Sequence, residues 1–252
     1  MLGLFGVTSG AIISKVSSRF PYRIRMWPDL PPTVKKLVII CAATFLLQVL
    51  GTGREMIAIF GLTPLLVISK LFIWQIVTYL FLHGGFWHLF WNMFTLWMFG
   101  SELERCWGGK QFLKFFLVTG AGAGILSIIF EPFSPIPTIG ASGAVYGIMM
   151  AYGLMFPERL VYVYFLFPIK VKYFISILAL ITFFSAFNTS GSVVAHVAHL
   201  GGMVFSFLYL KGWFSLTRIK RIYYQRRSSY RKNRFKVYDS EPKKKEDDFW
   251  IN

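Results

Sequence analysis

Ala195-His196-Val197-Ala198-His199-Leu200-Gly201-Gly202-Met203-Val204-Phe205-Ser206 lies inside an apolar run, residues 193–210, that holds no lysine, arginine, aspartate or glutamate. A helix crossing about 30 Å of hydrocarbon needs about 20 such residues, and this run is close to that length. Five further apolar runs precede it, at 37–50, 86–101, 111–129, 142–156 and 171–187. The shorter ones have the length of buried core helices, but the connections argue for spanning. Segments 103–114 and 157–172 carry Arg105, Lys110, Lys114, Arg159, Lys170 and Lys172, whereas 130–141 and 188–192 carry no basic residue. Basic residues beside spans stay on the cytoplasmic side. The alternation therefore predicts an even number of spans, six, with both termini cytoplasmic. The fold class read from this pattern is an all-α membrane protein.

Composition agrees. Of the 252 residues 55% are hydrophobic and 15% charged, with a mean hydropathy of +0.55, against about 25% charged in soluble domains. The length suits one membrane domain with polar ends, and no second globular domain is expected. The net charge of +16 raises nucleic acid as a partner, and the placement of the 27 basic residues answers it: six precede Leu37 and thirteen lie from Lys211 onward. Charge gathered beside spans meets anionic headgroups, so no nucleic-acid partner is expected and the basic tail is expected to contact lipid. The organisation expected is a cytoplasmic N-terminal segment, 1–34, a membrane domain, 35–210, and a basic cytoplasmic tail, 211–252. The apolar stretch Leu2 to Ile13 is broken by Gly3, Gly6 and Gly10 and follows no basic region, so a cleaved signal peptide is not expected. Cys41 sits in an apolar run and Cys106 beside Arg105; both are expected to be free thiols. Cytoplasmic tails without a targeting presequence favour a bacterial inner membrane.

Segment 51–85, between the first two runs, is too apolar for a solvated loop and too interrupted for a span. It is expected to lie in the outer interface, anchored by Trp74 and Tyr79.

Hydrogen-bonding and ionisable groups inside spans are costly, which makes each a functional candidate. They are few: His88, Asn92, Ser142, His196 and His199, with His83 just outside. All eleven acidic residues fall outside the runs or at their edges. Serine–histidine chemistry here would therefore be a dyad without an orienting carboxylate. Ser142, in Gly140-Ala141-Ser142-Gly143-Ala144, follows a proline-rich turn and opens the fourth run, where free backbone N–H groups suit a developing oxyanion. Gly143, Gly147 and Ala151 make a small stripe for close helix approach, and by itself the serine reads first as part of that packing. His199 shares a helical face with Gly202 and Ser206, so it is the better base, while His196 faces Leu200 and Met203. His88 and Asn92, four apart, can both donate to an oxyanion or simply bond between helices. Tyr146, one turn after Ser142, is placed to stack on an imidazole or to pack.

These residues together resemble the rhomboid family of intramembrane serine proteases over about 35–210. The stretch from Trp74-Gln75 through His83-Gly84-Gly85-Phe86-Trp87-His88-Leu89-Phe90-Trp91-Asn92-Met93 is similar to the family's aromatic-rich loop followed by two histidines and an asparagine. Gly140-Ala141-Ser142-Gly143 resembles its nucleophile motif and Ala198-His199-Leu200-Gly201-Gly202 its sixth-helix motif. Gly100, Glu104 and Gly108 match a recurring spacing after the second helix. The resemblance implies a six-transmembrane-helix bundle with an interfacial loop between helices 1 and 2, and an outward-open water-filled cavity. It also implies cleavage of transmembrane protein substrates near their outer ends, with access beside the fifth helix. It makes Ser142 the nucleophile, His199 the base, and His88, Asn92 and the Ser142 N–H the oxyanion hole. Two positions depart from the family pattern: Gln75, where arginine is frequent, and Ser206, where glycine is.

Two other readings compete. A non-catalytic relative that binds membrane clients would be expected to lack Ser142 or His199, and both are present. Zinc or haem held by His83, His88, His196 and His199 would lack any nearby cysteine or carboxylate ligand. No cofactor and no metal are expected.

Overall fold

The structure, a computed structural model, describes residues 30–163, 166–186 and 193–212. The expectations for the N-terminal segment up to residue 29 and for the tail from residue 213 lie outside the described residues.

Helix α1, Pro32–Leu47, starts on a proline and has no side-chain cap of its own. The cap comes from elsewhere in the chain: the Glu104 carboxylate accepts from the amides of Thr33, at 2.9 Å, and Val34, at 2.7 Å. A π-helical turn, Gln48–Thr52, continues into α2, Gly53–Phe60, because Gly51 takes φ 114° without a Cβ penalty. The helix expected to end near residue 50 thus extends, kinked, to Phe60.

The expected interfacial segment is compactly folded into α3, Pro64–Lys70, α4, Gln75–Thr78, and a 3₁₀ turn, Tyr79–Phe81. Gln75 is fully buried; its Oε1 accepts from Thr63 N at 3.0 Å and its Nε2 donates to Ile59 O at 3.2 Å. The glutamine that stands where the family favours arginine therefore ties the segment together. Trp74 remains 43% exposed and donates to Ile59 O. Tyr79 is a correction. It is 1% exposed and donates its hydroxyl to Gly120 O at 2.8 Å, because the segment turns back into the bundle there and Gly124 leaves room for the ring.

Helix α5, Phe86–Thr95, a π-helical turn, Leu96–Gly100, and α6, Ser101–Trp107, form one rod. Gly108, at φ 87°, ends it, and α7, Gly109–Phe130, starts at once. The chain then turns into α8, Ser142–Met155. The connection expected as a plain basic loop, 157–172, holds an antiparallel hairpin, β1, Leu160–Val163, with β2, Phe167–Lys170, Leu160 lying opposite Lys170. Helices α9, Val171–Ala186, and α10, Val193–Gly212, complete the described residues, which apart from the hairpin are helical or irregular.

The core lies where α8 is packed by α7, α9 and α10. Around it the outer faces are apolar: Ile39 and Ile40 on α1, Trp87 and Trp91 on α5, and Leu180 and Phe184 on α9 are 46–67% exposed. That is a surface made for hydrocarbon. Two continuous helices, Pro32–Phe60 and Gly109–Phe130, meet both the length and the apolarity a membrane span requires.

Candidate active site

The turn before α8 is held by backbone bonds. Leu62 and Thr138 exchange N–H···O bonds of 2.9 and 2.8 Å, and Gly140 N donates to Tyr79 O at 2.9 Å. Gly140 has φ 118°, and a Cβ there would lie 2.7 Å from His88 Cε1 and 2.8 Å from Nε2. Only glycine fits, on both counts. Ser142 follows as the first residue of α8, with the amides of the first turn free of intrahelical acceptors.

Opposite it, α10 comes close because small residues face each other. A Cβ on Gly202 would overlap the carbonyl of Gly143, and one on Gly147 would lie 3.0 Å from Gly202 O and 2.9 Å from Thr119 Cβ. This approach leaves His199 Nε2 2.8 Å from Ser142 Oγ. With Nε2 unprotonated, the serine hydroxyl donates to it. Tyr146 lies flat on the His199 ring, centroids 4.2 Å apart and planes 4° from parallel. The Tyr146 hydroxyl lies toward Thr182 of α9, which is 3% exposed and donates to Leu178 O within its own helix. The ring stack thus ties α8 to α10 at the dyad, with α9 alongside.

On α5, Gly84 N donates to His88 Nδ1 at 3.3 Å. That bond fixes Nδ1 as acceptor and, in the neutral ring, leaves the hydrogen on Nε2, the edge that faces Gly140. Asn92 is buried and uses one amide N–H on the His88 carbonyl, at 2.8 Å. Its second N–H remains a donor, and the bond is within its own helix, not between helices. His83 stands behind His88, ring centroids 5.3 Å apart, and is 2% exposed. Its backbone is clamped by Gln48, whose Oε1 accepts from His83 N at 3.0 Å and whose Nε2 donates to His83 O at 3.3 Å. His196 lies 6.3 Å from His199, ring to ring and edge-on.

Ser142, His199, Tyr146 and His88 are therefore brought to one place, with Asn92 one turn further along α5. Among the described residues no three His, Cys, Asp or Glu side chains gather in a group able to hold a metal ion. Three contributors have no sequence signal of their own. Thr182 is one of many hydroxyls on an apolar helix, Gly140 is a glycine in a glycine-rich turn, and Gln75 reads as a departure.

Comparison with known proteins follows the same outline. The sequence profile of the Rhomboid domain matches residues 70–215. The chain is 29% identical over 143 residues to Rhomboid protein 1, mitochondrial, of Saccharomyces cerevisiae, covering 53% of this chain and 39% of that protein. To Rhomboid protease GluP of Bacillus subtilis it is 36% identical over 109 residues, 42% of this chain and 21% of that protein. To RHOMBOID-like protein 1 of Arabidopsis thaliana it is 31% identical over 169 residues, 66% of this chain and 40% of that protein. The matched stretch spans less than half the length of each of these relatives.

Proposed function

The chain belongs to the rhomboid family and is an integral membrane protein, and from that premise we propose that it is an intramembrane serine endopeptidase working through a Ser142/His199 dyad. The observation that carries the proposal is the 2.8 Å contact between Ser142 Oγ and His199 Nε2 at the start of a helix. In this reading His199 takes the hydroxyl proton as Ser142 Oγ attacks the scissile carbonyl, then gives it to the leaving amine. Water, activated by the same imidazole, hydrolyses the acyl-enzyme. The oxyanion is held by the Ser142 backbone N–H, the His88 Nε2–H and the free Asn92 N–H. Tyr146 keeps the imidazole plane in place while the proton moves, the service a carboxylate performs in a triad.

Six spans are proposed: α1 with its continuation, the α5–α6 rod, α7, α8, α9 and α10. The basic ends support cytoplasmic termini, and a bacterial inner membrane is the location proposed. Substrates are transmembrane segments cut near their outer ends, reached from the α9 side. A serine and an imidazole in hydrogen-bond contact favour this reading over a non-catalytic relative that binds membrane clients.

The test is cleavage of a reconstituted single-span substrate in proteoliposomes. Wild type is expected to cut it and Ser142→Ala to leave it whole. Cleavage undiminished in Ser142→Ala would refute the proposal.

A further inference from the structure

At the opposite end of α7 from the turn that leads into Ser142, the first turn of α1 and the α6–α7 junction enclose an open cavity of about 600 Å³. Lys36, Arg105 and Lys110 line it. The carboxylate in its wall, Glu104, is engaged by the Thr33 and Val34 amides. Arg105 reaches Glu102 at 4.0 Å, while Lys36 and Lys110 have no ion pair among the described residues. The cavity therefore carries a surplus of cations.

The helices beside it are ordered in a telling way. One turn beyond Lys36 on the same face of α1 comes Ile40, 46% exposed, and one turn beyond Lys110 on α7 comes Leu113, 37% exposed. Cations at the helix starts give way directly to exposed apolar side chains along both walls. Two helices with the length and apolarity of spans begin here, so the cavity sits at headgroup depth.

We propose that this cavity is a binding site for an anionic phospholipid, its phosphodiester held by Lys36, Arg105 and Lys110 and its acyl chain lying along Ile40 and Leu113. A free phosphate satisfies the cations but not the apolar walls, and a zwitterionic lipid satisfies the walls but leaves the cationic surplus uncompensated. The site is remote from Ser142 and independent of the proteolytic reading.

Native mass spectrometry of the full chain in neutral detergent tests this, with phosphatidylglycerol and phosphatidylcholine titrated separately. The first phosphatidylglycerol is expected to bind more tightly than phosphatidylcholine. Lys36→Gln with Lys110→Gln should weaken it roughly 30-fold, the effect of two lysines near an anionic surface, and leave phosphatidylcholine unchanged. Lys36→Arg with Lys110→Arg should retain it, and Arg226→Gln with Arg227→Gln in the tail should change it far less. An unchanged thermal unfolding temperature in detergent for each variant checks that the bundle is intact. Equal losses in the two Gln pairs would mean diffuse charge attraction and overturn the site. So would displacement of the lipid by an equal concentration of inorganic phosphate, which would assign the cations to free phosphate.

Discussion

The backbone of Gly202 rests against the carbonyl of Gly143, with no room between them for a methyl group. These two glycines set the distance between α8 and α10, and hence that between Ser142 and His199, one residue before Gly143 and three before Gly202 respectively. Gly202→Ala is expected to force the helices apart, at the cost of about 1–3 kcal/mol typical of overpacking. Thermal unfolding in detergent should fall and fluorophosphonate labelling of Ser142 should drop with it. Unchanged unfolding and labelling would show that the helices relax without moving the pair.

At Gly140 the constraint is both conformational and steric, since φ is 118° and the missing Cβ would meet the His88 ring. Gly140→Ala is expected to displace His88 and lower the cleavage rate by about 10²-fold, the scale of one lost oxyanion donor. Asn92→Ala should cost a similar factor. Rates measured at saturating substrate check both, and a wild-type rate for Asn92→Ala would return that residue to packing.

From α6, the Glu104 carboxylate accepts hydrogen bonds from the Thr33 and Val34 amides at the start of α1. Glu104→Ala leaves both amides without a partner and is expected to destabilise the fold by about 1–3 kcal/mol, chiefly through the buried Val34 donor. Glu104→Gln, which retains an acceptor, should recover part of it. Comparison of the two variants' unfolding temperatures checks the cap.

Glu158 closes the base of the hairpin. Its carboxylate lies 2.8 Å from Lys170 Nζ and 2.6 Å from Lys172 Nζ, and these hydrogen bonds hold its pKa down to about 2. A depressed carboxylate contributes stability above its ordinary range, and that contribution is lost as pH falls from about 4.5 toward about 2. The clamp should hold at pH 5, and Glu158→Gln should remove the pH dependence of hairpin exchange between pH 5 and pH 2, measured by hydrogen exchange at Leu160 to Val163 and corrected for the intrinsic exchange rate. A dependence that survives the substitution would assign it to another group.

Hydrophobic runs locate the helix interiors well, because an apolar side chain in lipid has the same preference along the whole helix. They locate ends poorly. The run ending near residue 50 continues to Phe60 because Gly51 admits a left-handed residue inside a helix, and the rod from Phe86 reaches Trp107 past charged Glu102 and Glu104, since both carboxylates find partners. The hairpin at 160–170 gives a weak apolar signal, because Lys170 stands opposite Leu160 on the face that Tyr162 and Pro168 share. Tyr79 misleads for a related reason. An aromatic ring at a boundary reads as an interface anchor until a distant carbonyl, that of Gly120, is known to accept its hydroxyl. The nearness of Ser142 and His199 was legible because glycines flank both, whereas the placing of Thr182 beside Tyr146 depends on how α9 leans, which no local pattern records.

The central claim is that Ser142 is activated by His199. Reaction of purified protein with a fluorophosphonate probe tests it most directly, in wild type, Ser142→Ala, His199→Ala and His196→Ala. The account predicts labelling in wild type and in His196→Ala, and none in Ser142→Ala or His199→Ala. Labelling that persists in His199→Ala and disappears in His196→Ala, or a folded wild type that does not react, would contradict it.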